Sequence, residues 1–303
     1  MMRAAIILAV VLSIGLAQAA EQTGPRRSVL AADYSAGRKR LALIGPAGEL
    51  LWQHPINNIH DVHRLPSGGV LFQTDWTRIV ETDADGKIIW EYDAAKMNGN
   101  AGRPVEVHAF QRLADGSTMF AESGPGRIIE VDRDGKLLRQ IKLTLDSPDV
   151  HRDTRNARKL DNGHYLVAHE GDAKVRQYDG DGNVVWEYDV GSAVYSAIRL
   201  PNGNTLIGTG NGHSVIEVSP EKKVVWSITE RELPGVKLAW VTQVARRANG
   251  NTLIVNCHAG PDNPQIVEVT PDKQVVWTFR DFANLGNSTP VAQVLDVEGP
   301  VVR

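Results

Sequence analysis

A second cysteine is missing. Cys257 stands alone, so no disulfide can form within the chain even in a compartment that would allow one. Sustained runs of lysine and arginine are missing too, and with a formal net charge of −3 the sequence offers no basic surface for a polyanion, which argues against nucleic acid as a partner. There is no low-complexity linker to divide the body of the chain and no compact metal motif such as H-E-x-x-H.

The one long apolar run lies at the start. "MMRAAIILAVVLSIGLAQA" has a basic residue, Arg3, an apolar core from Ala4 to Leu16, and the small-x-small sequence Ala17-Gln18-Ala19. That is the pattern of a secretory signal cleaved before Ala20, and its core is shorter than the ~20 residues a membrane-spanning helix needs. No cysteine follows it to carry a lipid anchor. The expectation is a signal peptide over residues 1–19 and one domain over 20–303, periplasmic in a Gram-negative source or secreted, and not membrane-spanning.

The remainder is repetitive. An apolar run ending in Trp or its equivalent follows a charged turn in "GPAGELLWQ" (Trp52), "DADGKIIWEYD" (Trp90), "DRDGKLLRQ" (Leu138), "DGDGNVVWEYD" (Trp186), "SPEKKVVWSI" (Trp226) and "TPDKQVVWTF" (Trp277). These marks recur every 40 to 50 residues or so, the period of a four-stranded propeller blade. A second turn with its own apolar run, such as "LPSGGVLF" or "LPNGNTLI", precedes most of them. Each unit therefore holds strands A to D, with hairpin turns between A and B and between C and D. Asp-Gly turns such as "DADGK" resemble pieces of calcium loops but lack the remaining ligands, and they fall where a hairpin needs them.

One such sheet cannot bury both faces, so the units must pack into a ring. The N-terminal segment supplies strands B, C and D without an A, and "STPVAQVLDVEG" near the other end reads as a lone strand A. Joining them predicts an all-β, six-bladed β-propeller closed by pairing the C-terminal strand with the N-terminal strands, with seven blades as the alternative.

Strand direction then sorts the loops. The A–B and C–D turns lie on one face of the disc, and the irregular B–C and D–A loops on the other, where binding and chemistry are expected. Seven of the nine histidines fall on or near that second face: His54, His60, His108, His151, His169, His213 and His258. Trp76, Trp240, Tyr34 and Tyr195 lie there too. Strand A is innermost, and aligning blades on the residue before the A–B turn puts His60, His108, Arg155, Tyr195, Thr242 and Pro290 at equivalent places around the channel. His63, three residues beyond His60, points to the other side of its strand and is expected to pack between blades.

Imidazoles can exchange protons, attack as nucleophiles or bind metals, and a guanidinium holds an oxyanion through paired hydrogen bonds. His60 and His108 are thus the candidate catalytic pair. Arg155, Tyr195, His151, His169, Trp240, Trp76, Glu122 and His258 are the candidate ligand contacts. The same polar groups would also line a water-filled channel. No cofactor is implied firmly, although channel histidines with a glutamate such as Glu122 or Glu170 can hold a transition metal. Cys257 reads as a buried strand residue.

The stretches "LPNGNTLI", "RANGNTLIV", "IVEVTPDKQVVWTFR", "DGDGNVVWEYD" and "IHDVHRLPSGG" resemble the propeller of bacterial periplasmic arylsulfotransferases and the wider pyrroloquinoline-quinone-like repeats. The resemblance implies a sulfuryl-accepting histidine, His60 or His108, with Arg155 as a sulfate ligand. Those enzymes carry an additional N-terminal domain that has no counterpart here, and no motif matches a quinone site. Three expectations follow. The first is a propeller that binds a small molecule, glycan or envelope protein at the channel mouth. The second is a histidine-dependent enzyme, arylsulfotransferase-like or cleaving an acidic sugar. The third is a scaffold in an envelope complex.

Overall fold

The computed structural model describes residues 20–303, so the expected signal over 1–19 lies outside the described residues. Six antiparallel sheets, each with four blade strands, form a ring, and the described residues contain no helix. From the channel outward, blade 1 is Ala292–Val294, Val29–Asp33, Arg40–Ile44 and Leu50–Pro55. Blade 2 is Val62–Arg64, Val70–Gln73, Arg78–Thr82 and Ile88–Asp93. Blade 3 is Glu106–Arg112, Thr118–Ser123, Arg127–Val131 and Leu137–Lys142. Blade 4 is Asn156–Lys159, Tyr165–His169, Lys174–Tyr178 and Val184–Asp189. Blade 5 is Ser196–Arg199, Thr205–Gly208, Val215–Val218 and Val224–Ile228, and blade 6 is Trp240–Arg247, Thr252–Cys257, Ile266–Val269 and Val275–Arg280.

Closure occurs as the sequence implied, with Val294 opposite Val29 and Ala292 opposite Ala31 in blade 1. Two short strands add to it. Glu21–Thr23 pairs with the outer strand of blade 6, and Val301–Val302 pairs with its inner strand at Arg247 and Arg246. The first two and the last two strands of the described chain are thus each divided between blades 6 and 1. The seam is stapled at its rim and at its axis, which removes the edges that an open sheet would expose.

Between blades, burial follows from stacking. Strands B are buried along their length because both of their faces meet a neighbour, whereas strands D face solvent at the rim. The recurring tryptophans of strand D clamp each blade to the next. Trp90 Nε1 donates to the Arg133 carbonyl (2.7 Å), Trp186 to Pro220 (3.0 Å), Trp226 to Pro271 (2.7 Å) and Trp277 to Pro25 (2.9 Å). The guanidiniums of Arg112, Arg199, Arg246 and Arg27 cover the same four rings in order, 4.7 to 5.5 Å from the centroids. In blade 1 the clamp depends on a glycine: a Cβ at Gly86 would stand 2.4 Å from Trp52 Nε1.

Every C–D hairpin ends in a bulge after a residue with positive φ. Gly48, Gly86, Gly135 and Gly182 fill that place in blades 1 to 4, but Lys222 (φ 65°) and Lys273 (φ 61°) fill it in blades 5 and 6. A side chain there is strained, and Lys222 is exposed. Lys222→Gly is expected to raise the unfolding free energy by ~0.5–1 kcal/mol in urea titrations. A decrease would show that the lysine makes a compensating contact.

Candidate functional site

The starts of the inner strands converge on the irregular-loop face. His60 precedes the inner strand of blade 2, and its backbone N–H donates to Gln73 Oε1 (3.0 Å). The buried Gln73 in turn donates to the Val107 carbonyl (2.6 Å) of blade 3. His108, fully buried in that strand, lies with its ring centroid 5.0 Å from that of His60. Arg155, one residue before the inner strand of blade 4, brings Nη1 to 3.2 Å from His108 Nδ1 and 3.5 Å from His60 Nε2. Its Nε is ion-paired with Glu170 and its guanidinium covers the Tyr195 ring at 5.1 Å. The strand-A alignment therefore corresponds to real proximity: His60, His108, Arg155 and Tyr195 form one cluster of contacting side chains.

Aromatic walls close around it. Trp76 lies nearly parallel to His60 at 5.2 Å and meets His108 and His151 edge-on at 5.2 and 5.0 Å. Its carbonyl accepts from Val107 N–H (2.7 Å), which anchors the B–C loop of blade 2 to blade 3. Tyr195 packs edge-on against Trp240 at 5.2 Å, and His258 stands 5.7 Å from Trp240 and 6.4 Å from Tyr34. Trp240 Nε1 and Thr242 Oγ1 are buried without a hydrogen-bond partner among the described residues.

His151 comes from a loop locked by its own aspartates. Asp149 accepts from His151 N–H (2.9 Å), while Asp153 accepts from Asp149 N–H (2.6 Å) and Gly124 N–H (2.8 Å). This brings His151 Nδ1 to 2.7 Å from Glu106 Oε2, the atom that also lies 2.9 Å from His108 Nε2. Glu106 was not singled out in the sequence. The signal was available, because Glu106 and His108 are two apart on one strand and so share a face.

Burial, Arg155 and the neighbouring histidines press His60 well below its ordinary value. Burial pushes His108 down to about 4 despite its hydrogen bond with Glu106. Burial alone would raise Glu106, yet its hydrogen bonds with His108 and His151 hold it at about 2. Burial raises the phenols of Tyr34 and Tyr195, the latter to about 12. At neutral pH the cluster thus presents neutral imidazoles at His60 and His108, protonated phenols and the Glu106 carboxylate.

Two sequence candidates sit elsewhere. Glu122 is buried against Arg127 Nε (2.6 Å) and Asn100 (3.0 Å). His169 is buried between the Asp153 carbonyl (2.7 Å) and the Tyr178 hydroxyl (2.9 Å). Both lie at the ends of second strands, whose side chains point between blades. His63 is likewise an inter-blade residue, its Nε2 donating to the Phe110 carbonyl of blade 3 (2.7 Å). Cys257 is buried, and burial raises its thiol.

Fold and opening together define a six-bladed β-propeller with a histidine, arginine and aromatic cluster at the mouth of its channel. Within that class the chain belongs to the family described as outer membrane protein assembly factor BamB, whose model matches residues 37–193 and 126–277, well over half of the sequence. Among solved structures, it is similar to a protein of unknown function from Bacteroides caccae, at 23% identity, covering 90% of this chain and 100% of that one with a TM-score of 0.77. It is also similar to virginiamycin B lyase from Staphylococcus aureus solved with quinupristin, at 10% identity, 86% and 87% coverage and a TM-score of 0.58. At these identities the likeness establishes the fold. No curated protein matches the sequence.

Proposed function

We propose that the chain is an exported propeller that binds a small acidic molecule, a carboxylate or sulfate on a sugar or aryl body, at the channel mouth. The observation that carries this reading is the place of Arg155. Glu170 holds its Nε, and its Nη1 lies 3.5 Å from His60 Nε2 and 3.2 Å from His108 Nδ1, among the rings of Trp76, Tyr195 and Trp240. A guanidinium fixed at one edge and stacked on Tyr195 is pre-organised for an oxyanion, and the rings supply a flat apolar surface for what the anion is attached to. Export is supported by the signal pattern of residues 1–19 and by the family description, which names the outer membrane.

The enzymatic reading has one specific observation in its favour. His60 is kept neutral, and its Nε2 faces Arg155, so a nucleophile or base stands beside an oxyanion ligand. For the scaffold reading, the support is the family description together with apolar pairs such as Leu50 and Leu51, or Ile88 and Ile89, exposed on the outer strands.

One experiment addresses binding and turnover together. Aryl sulfates and uronic acids are titrated by calorimetry into the wild type and into Arg155→Lys and Trp76→Ala, with parallel assays for released sulfate or cleaved sugar. Binding is expected, weakened ~10- to 100-fold in both variants, because lysine lacks the planar fork and alanine removes a wall. If no acidic compound binds, or if both variants bind as the wild type does, the proposal fails. Product formation lost in His60→Ala would favour the enzyme.

A further inference from the structure

We propose that Glu106, His108 and His151 hold a divalent first-row transition cation, zinc in the first instance, at the inner edge of the channel mouth. The inference stands independently of the acidic-ligand reading and adds a cation that such a ligand would meet.

Convergence is the first argument. Glu106 Oε2 lies 2.9 Å from His108 Nε2 and 2.7 Å from His151 Nδ1, and all three atoms are within 4.8 Å of one another. Zinc binds nitrogen and carboxylate oxygen at about 2.0–2.2 Å in a tetrahedral shell, so adjacent ligand atoms stand about 3.4 Å apart. Parting each pair by about half an ångström or slightly more would admit the ion.

The proton inventory of His108 is the second. Its Nδ1 is 2.8 Å from the Thr154 carbonyl, which can only accept, and 3.2 Å from Arg155 Nη1, which can only donate; with the carbonyl the nearer of the two, one tautomer places the ring's proton on Nδ1. The Nε2 lone pair then points at a carboxylate oxygen. Moving the proton to Nε2 would turn a lone pair on the Thr154 oxygen instead. Protonating both would bury a second cation 3.2 Å from Arg155 Nη1. A metal between Nε2 and Oε2 gives that lone pair and that carboxylate oxygen a shared partner, and the Nδ1–H to Thr154 carbonyl bond is the outer-shell contact that metal-bound histidines characteristically make.

Charge is the third. Arg155 is ion-paired with Glu170, but Glu106 has imidazoles and no lysine or arginine as partners among the described residues. Two nitrogens and one carboxylate suit zinc or a neighbouring transition ion better than calcium or magnesium, which prefer oxygen throughout. The positions are held firmly: Glu106 and His108 lie on the inner strand of blade 3, and Asp149 and Asp153 fix the His151 loop. Three protein ligands also leave room for a fourth. Trp76 covers His108 and His151 on one side, and the remaining side opens toward His60 and Arg155. A ligand anion could there bridge the metal and the guanidinium.

The test uses the untagged full-length chain, stripped with a chelator, and titrates zinc alone by calorimetry, with cobalt(II) as a spectroscopic substitute. One ion per chain is expected. Glu106→Gln and His151→Ala should each weaken zinc at least ~100-fold, with circular dichroism and melting unchanged, while His164→Ala on the opposite face leaves affinity unaltered. Failure of zinc and cobalt to bind stoichiometrically, or wild-type affinity in Glu106→Gln, overturns the site. Zinc binding without any acidic ligand keeps this inference and removes the earlier one. Acidic ligands bound by a chain that holds no zinc do the reverse.

Discussion

Trp277→Ala is expected to lower the unfolding free energy by about 3–5 kcal/mol, the cost of emptying a fully buried indole site. Trp277 is 0% exposed, and its Nε1 donates to the Pro25 carbonyl (2.9 Å) and Gln22 Oε1 (3.1 Å). Arg27 covers the ring and is ion-paired with the buried Glu268. The residues packed with it include Ala20, Val29 and Ile44 from the N-terminal segment and Leu253, Val255 and Phe279 from blade 6. The indole is thus the core of the seam between the two ends of the described chain. Trp186, at the equivalent place in blade 4, has the same kind of bond and the same kind of arginine cover but is only half-buried, because no terminal strand is laid over it. Trp186→Ala should cost roughly 1–2 kcal/mol. Equilibrium urea unfolding of both variants, with unchanged slopes, makes the comparison, and equal costs would show that the seam is no more dependent on its tryptophan than any other blade junction.

That contrast shows where sequence reasoning reached and where it stopped. Blade number and closure were legible because turn residues and the strand-D tryptophans are local signals that recur. The staples, Glu21–Thr23 and Val301–Val302, were not: three and two residues carry no periodicity, and neither pairs with an adjacent hairpin strand, Glu21 lying opposite Arg280 and Val301 opposite Arg247. At the site, strand position did well where it was geometric. Residues at the starts of inner strands reach the channel axis whatever their type, so His60, His108, Arg155 and Tyr195 meet. It did poorly where only loop location was available. Glu122 and His169 share the expected face of the disc, yet their side chains turn between blades, and location alone does not say which way a strand-end residue points. Two histidines in "IHDVH" also drew attention from the aspartate between them.

That residue, Asp61, is expected to be among the costliest to lose, with Asp61→Ala destabilising by about 3–5 kcal/mol because it leaves buried cations uncompensated. Asp61 is 1% exposed and joins three blades at the axis. It accepts from Phe110 N–H of blade 3 (3.2 Å) and from both terminal nitrogens of Arg158 of blade 4 (2.7 and 3.0 Å), and it lies 3.3 Å from His63 Nε2 of its own blade. Arg303, from the segment that staples blade 6, reaches in to the Val62 carbonyl and His63 Nδ1, both at 2.9 Å. Burial, with Arg158 nearby, pushes Arg303 down to about 10. Without Asp61, the two guanidiniums would face each other with no anion between them. Burial alone would raise the Asp61 carboxyl, but Arg158 and His63 hold it well below the usual carboxylate range. A depressed folded value means the stabilisation is fully present above the unfolded pKa of about 3.9 and is lost as pH falls below it. The stability gap between the wild type and Asp61→Ala should therefore be constant from pH 5 to 7 and narrow in more acid solution. Adding Arg158→Met to Asp61→Ala should recover part of the loss by removing one stranded charge. A cost under ~1 kcal/mol for Asp61→Ala at pH 7, or a gap that widens in acid, would show that the charges at the axis are satisfied some other way. Because His60 is the residue immediately before Asp61, the same carboxylate that ties three blades together also fixes the start of the strand beside which the imidazole is placed.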